Sequence, residues 1–135
     1  MDTKGDHILL DLWTDNVEIL NNMETMTEIL IRAAKKSGSK ILSLTNFKFE
    51  PQGLSVVLLV AESHFSVHTY PEKSYASFDA YTCGNTDVIK AVDYIIEIMD
   101  PKQWKMLDIK RGTRGYFSVK PKYKWEINER SSNES

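Results

Sequence analysis

The stretch HFSVHTYPEKSYASFDAYTC, residues 64–83, reads as a β-hairpin. Pro71-Glu72-Lys73-Ser74 is the turn, and the arms are 64–70 and 75–83. Side chains alternate across a strand, so each arm divides into two faces. Phe65, Val67 and Thr69, with Ala76, Phe78, Ala80 and Thr82, make a face fit to lie under helices. His64, Ser66, His68 and Tyr70, with Tyr75, Ser77, Asp79, Tyr81 and Cys83, make a polar, titratable face. Burying such a face is costly unless it forms a site or a hydrated interface. The simplest register pairs Tyr70 with Tyr75, His68 with Ser77, Ser66 with Asp79 and His64 with Tyr81. One step further sets Cys83 opposite Glu62.

Working outward, Leu54 to Glu62 is a near-continuous apolar run, expected as a central strand. Pro51-Gln52-Gly53 turns the chain into it from a strand over Lys40 to Phe47. Upstream, His7 to Trp13 reads as a strand. A helix follows, capped by Asn16 or Asn21 and ending near Lys36, with Gly38 as its stop. Downstream, Thr86 is the expected cap of a helix from Asp87 to Met99, which Pro101 ends. Lys105–Lys110 and Tyr116–Val119 read as strands around Arg111-Gly112. These elements predict a two-layer α+β sandwich: a mostly antiparallel sheet with two helices on one face.

The 135 residues suit one domain, expected over residues 1–120, with a basic, unstructured tail over 121–135. Residues 1–100 carry 15 acidic and 8 basic side chains, and residues 101–135 carry 4 and 9. The basic charge is scattered rather than run together, which speaks against a nucleic-acid partner. The longest apolar run, residues 54–61, is too short to span a membrane, and the first residues lack the pattern of a signal peptide. A lone cysteine excludes an internal disulfide and suits a reducing cytoplasm.

Taken singly, these residues are more often structural than catalytic. Cys83 reads as a small buried hydrophobe, His68 as a hydrogen-bonded sheet residue, Ser55 as a strand hydroxyl and Glu72 as a solvated turn residue. Their combination has more to say. Phe49-x-Pro51-x-Gly53-x-Ser55, then Glu62-Ser63-His64, then His68-Thr69-Tyr70-Pro71-Glu72, then Thr82-Cys83-Gly84 and Arg111-Gly112, follow in one order. This constellation resembles the small prokaryotic S-adenosylmethionine decarboxylase proenzymes from about Gly5 to Tyr116.

The resemblance implies a lyase that makes its own cofactor. Cleavage at Glu62-Ser63 would leave fragments 1–62 and 63–135, with Ser63 converted to a covalent pyruvoyl group. That carbonyl would form a Schiff base with S-adenosylmethionine and act as an electron sink, giving the aminopropyl donor of spermidine biosynthesis. His68 resembles the processing base and Ser55 its helper. Cys83 resembles the proton donor, Phe49 and Tyr70 the aromatics at the substrate, and Glu72 the carboxylate on the ribose. No metal is implied. The chain departs from the family at Tyr70, usually Trp, at Lys73-Ser74, usually a residue followed by Gly, and at Ser77, usually Ala. Alternatives are a pyruvoyl enzyme of the same fold acting on arginine or ornithine, and a non-cleaving regulatory homologue.

Strand geometry adds one expectation. His68 is five residues from Ser63, about 16 Å along a regular strand and on the opposite face. A two-fold homodimer would let Ser63 and Cys83 of one protomer meet Ser55, His68, Phe49 and Glu72 of the other.

Overall fold

The structure, a computed structural model, describes residues 3–125. Its elements are β1 (Gly5–Trp13), α1 (Val17–Leu20), α2 (Met23–Lys36), β2 (Ile41–Lys48), β3 (Leu54–Val60), β4 (Ser63–Tyr70), β5 (Tyr75–Cys83), α3 (Val88–Met99), β6 (Gln103–Arg111) and β7 (Ser118–Trp125). A single 3-10 turn, Pro71–Lys73, joins β4 to β5. The strands form one sheet in the order β2-β3-β4-β5-β1-β6-β7. Every neighbouring pair is antiparallel. The helices lie on one face, and the expected α+β sandwich results.

The core lies between the layers. The sheet supplies Ile8, Leu10, Leu12, Val56, Leu58, Phe65, Val67 and Phe78; the helices supply Met26, Leu30, Ala33, Ala91, Val92 and Ile95. Full burial of each larger apolar side chain stabilises by roughly 1.5–3 kcal/mol. Thr69 is a buried polar member of this inner face. Its hydroxyl donates to Leu20 O at 2.6 Å and accepts from Leu54 N at 3.1 Å. It ties α1, β3 and β4 together at the end of the sheet that carries His68.

The β4–β5 hairpin has the expected register, from His64 opposite Tyr81 to Tyr70 opposite Tyr75. Other details differ. The apolar strand β3 is second from the edge, and β5 holds the middle. Only Leu54, Val56, Leu58 and Val60 of β3 are buried under helices, while Leu59 on the other face is 51% exposed. The run looks doubly buried in sequence because both of its faces are apolar.

The first helical segment is broken in two. Asn16 caps α1, accepting from Ile19 N, and Asn22, not Asn21, caps α2, accepting from Thr25 N at 3.0 Å. Asn21 instead uses its side chain to accept from Gly53 N at 2.9 Å and from the Lys48 ammonium. It thereby pins the turn that precedes Ser55. At α3 the cap is Asp87, which accepts from Ile89 N and Lys90 N. Thr86, the expected cap, donates to Cys83 O at 2.8 Å.

The last strand begins and ends later than expected. β7 runs to Trp125, with Pro121 opposite Leu107 and Tyr123 opposite Lys105, so the sheet crosses the expected domain limit at residue 120. Val119, Pro121 and Tyr123 alternate with lysines, a strand pattern that high charge conceals. Proline is tolerated because β7 is an edge strand. The remainder of the expected tail, 126–135, lies outside the described residues.

Candidate active site

The chemically able side chains gather at two separate places, one at each end of β4. The first surrounds the β3–β4 turn. Val60 pairs with Ser63, so only Ala61 and Glu62 form the loop. Glu62 takes φ 74°, the left-handed region that favours glycine. Ala61, the first central residue, is not left-handed, so the turn is neither of the primed types that suit a two-residue hairpin. Ser63 follows at once and is only 7% exposed. Its hydroxyl donates to Cys83 Sγ at 3.5 Å. Cys83 pairs with Gly5 of β1 rather than with Glu62, whose strand has already turned.

The second place is the opposite end of β3 and β4. Ser55 lies opposite His68, with Ser55 Oγ 2.6 Å from His68 Nδ1. Ser55, His68, Phe49, Tyr70 and Glu72 line one cleft of about 360 Å³. Phe49 and Tyr70 are 47% and 44% exposed, so flat apolar surface is available to a planar ligand. Tyr70 stacks on Tyr75 at 5.5 Å, and Phe49 packs on Phe47 at 4.9 Å. Within one chain, then, Glu62, Ser63 and Cys83 form one cluster and the remaining candidates another. β4 runs as a regular strand between them.

A third group sits beside Cys83 and includes His7 of β1, a strand whose neighbours the sequence does not disclose. His7 Nε2 lies 2.5 Å from Asp79 Oδ1, and His64 Nε2 lies 3.3 Å from the same oxygen. Arg111 Nη1 donates to His7 Nδ1 at 3.1 Å. Nδ1 therefore accepts and Nε2–H donates to Asp79. His7, His64 and Asp79 offer three ligand atoms within 4.8 Å of one another. A metal ion would have to displace the Nε2 proton and bind beside the Arg111 cation, so hydrogen bonding accounts better for the group. Arg111 also lies over the Tyr81 ring, 4.2 Å from its centroid. The Tyr81 hydroxyl is pushed above its usual range, first by its hydrogen bond to Cys83 and then by burial, while the Arg111 charge pulls it down. His64, Asp79 and Tyr81 share a face by simple alternation, and Arg111-Gly112 stands out in sequence. His7 carries no such signal, because its role depends on β1 entering between β5 and β6.

With this geometry in hand, the family model described as S-adenosylmethionine decarboxylase matches residues 6–112. The chain belongs to the S-adenosylmethionine decarboxylase family. An S-adenosylmethionine decarboxylase proenzyme of Geobacillus kaustophilus (strain HTA426) is 40% identical over 114 residues, 84% of this chain and 92% of the relative. S-adenosylmethionine decarboxylase proenzyme 2 of Bacillus anthracis is 40% identical over 111 residues, 82% of this chain and 90% of that one. The crystal structure of the adenosylmethionine decarboxylase from Aquifex aeolicus superposes with a TM-score of 0.76 at 35% identity, covering 87% of this chain and 98% of that one. The Trypanosoma brucei AdoMetDC-delta26 monomer shares the fold, with a TM-score of 0.57 at 15% identity over 78% of this chain and 45% of its own. The Aquifex relative thus shares both the sandwich and nearly the whole length of its chain with the protein described above. Among the described residues no helix is long and apolar enough to cross a membrane.

Proposed function

We propose that the chain is a proenzyme that cuts itself between Glu62 and Ser63 and then decarboxylates S-adenosylmethionine through the resulting pyruvoyl group. The observation that carries this reading is the peptide to be cut. A non-glycine residue at φ 74° precedes a nearly buried serine whose hydroxyl already touches the only thiol. Left-handed backbone at a non-glycine residue costs roughly 1–2 kcal/mol, and such outliers gather where strain is used. Relatives named as proenzymes support the same reading.

The chemistry follows from the atoms present. Ser63 Oγ attacks the Glu62 carbonyl carbon and the peptide becomes an ester. Loss of the Cα proton of residue 63 and of its Cβ–Oγ bond releases the Glu62 carboxylate. Water then replaces the nitrogen of residue 63, which leaves as ammonia. A pyruvoyl group at this position supplies an electrophilic carbonyl that accepts the electron pair left when carbon dioxide departs. The residues fit it: Ser63 is nearly buried at a strand start, with Cys83 Sγ at 3.5 Å as a proton source. His68, its Nδ1 in contact with Ser55, serves as the base of self-cleavage. Phe49 and Tyr70 offer stacking to adenine, and Glu72 accepts from the ribose hydroxyls.

The two clusters act together in a homodimer with shared sites. Exposed Leu9, Phe47, Leu59 and Tyr70 leave the helix-free sheet face apolar enough to pair with a second copy. A thiol that must remain reduced suits the cytoplasm.

Intact mass spectrometry tests the reading. Fragments 1–62 and 63–135, the second resistant to Edman degradation, are expected from the unmutated chain, and one 15.5 kDa species from Ser63→Ala. An uncut unmutated chain would leave a regulatory role. Turnover of arginine or ornithine, but not S-adenosylmethionine, would assign the other substrate class.

A further inference from the structure

The last strand, β7, has its two sides reversed for an edge strand. Lys120, Lys122 and Lys124 stand on the helix side, opposite Asp108, Met106 and Trp104, and are exposed. Val119, Pro121 and Tyr123 stand on the helix-free side, opposite Ile109, Leu107 and Lys105. Val119 is 48% and Tyr123 73% exposed. A strand that served only its own core would carry its apolar side chains toward the helices. Pro121 and Tyr123 instead join Leu9 and Leu107 along a groove of about 420 Å³. β7 also lies beyond residue 112, where the match to the family ends.

The shared site proposed above limits how a second copy can cover this face. Ser63 of one copy must meet His68 of the other, and the two residues lie toward opposite ends of β4. Two sheets packed face to face about a two-fold axis along the strands keep like ends together, which leaves Ser63 and His68 apart. An axis running across the strands, between the sheets, exchanges the ends. It must cross β4 midway between Ser63 and His68, nearest the outward-facing Ser66. Strand pairing carries that level from Ser66 to Asp79, Leu9, Leu107 and Pro121. Each residue on this row then faces its own copy. We propose that β7 is a dimerisation strand that packs on β7 of a second copy: Pro121 faces Pro121 across the two-fold axis, and Tyr123 of each faces Val119 of the other. Asp79 reaches the axis already bonded to His7. The placement rests on the shared-site reading.

Cross-linking tests it in uncut Ser63→Ala, Cys83→Ser protein, where no activity is needed. Packed sheets lie about 10 Å apart, within reach of a short bis-maleimide. Leu107→Cys should therefore cross-link to itself. Lys105→Cys and Ile109→Cys, each two residues off the axis, set like thiols a further ~13 Å apart along the strands and should not. Mixed and refolded together, those two should cross-link as a heterodimer. A dimer that cross-links through Lys105→Cys or Ile109→Cys alone, or not at all through Leu107→Cys, overturns the proposal, as does a monomer. A second measurement addresses β7 itself. Pro121→Glu sets two carboxylates against each other, so the dimer dissociation constant from sedimentation should rise at least about ten-fold, while Lys122→Glu on the helix side should leave it within about two-fold. Equal effects from the two changes, or none from Pro121→Glu, overturn the role of β7. The expected cross-linking without turnover of S-adenosylmethionine by the unmutated chain would support the interface and fail only the decarboxylase reading.

Discussion

Ser55 Oγ and His68 Nδ1 lie 2.6 Å apart on facing strands, at the end of β4 remote from Ser63. His68 is about 16 Å along the strand from the Ser63 of its own chain, too far to act there as the proposed base of self-cleavage. We expect Ser63→Ala and His68→Ala proteins to be inactive alone. Mixed and refolded together they should regain one working site per heterodimer, seen as partial cleavage and partial decarboxylase activity. No recovery in the heterodimer fraction would mean that each chain cleaves itself.

The turn at Glu62 makes a separate prediction. Asparagine tolerates the left-handed region better than glutamate. In the uncleavable Ser63→Ala background, Glu62→Asn should stabilise the chain by up to about 1 kcal/mol in urea unfolding. In the cleavable chain the same change should slow self-cleavage. Faster cleavage would show that strain at this residue does not assist the reaction.

Gly5 is where β1 passes closest to the site. An added Cβ would stand 2.9 Å from Thr82 O as well as against Tyr81 and Cys83. Backbone cannot move aside cheaply, so Gly5→Ala should destabilise by about 1–3 kcal/mol. The loss should appear in urea unfolding together with lowered decarboxylase activity per cleaved chain. Unaltered stability would mean that β1 has room to shift.

Tyr75 gives the alkaline limb. Its hydroxyl donates to Asp11 at 2.5 Å, and its titration is raised above 10.0 by burial first and by that hydrogen bond second. A group whose folded value is raised contributes stability fully below its unfolded value, and the contribution is lost as pH rises through the folded one. Unfolding free energy should therefore fall above pH 10. Tyr75→Phe should be less stable at neutral pH by about 1 kcal/mol and should lose less between pH 10 and 11. Parallel curves for the two proteins would assign the alkaline loss to other groups.

Much of this molecule is legible in its sequence wherever one rule acts alone. Strict alternation in residues 64–83 yields the hairpin register, and helical spacing with Gly38 and Pro101 yields the helix ends. The sequence is silent where two residues compete for one role. Asn21 and Asn22 both suit a cap, as do Thr86 and Asp87, and tertiary partners at Gly53 and Cys83 decide between them. Ser74 shows the reverse. It adopts φ 56° at the position where the family usually carries glycine, so the family's choice has a backbone reason that this chain does without. Of the site, Ser63 and Cys83 stand out by type and spacing. His7 does not, since its contacts come from strand order alone.

Strand order has one more consequence. β1, β2 and β3 belong to residues 1–62, and the four other strands to residues 63–135. Yet β1 is inserted between β5 and β6. Once cut, the two pieces are interleaved like the fingers of clasped hands. Neither holds a continuous sheet of its own, and neither can leave without tearing ladders on both sides of β1. A broken covalent chain should therefore behave as one cooperative body under native conditions. Pieces separated by denaturant must find each other again before the sheet can form, a search that the uncut chain is spared.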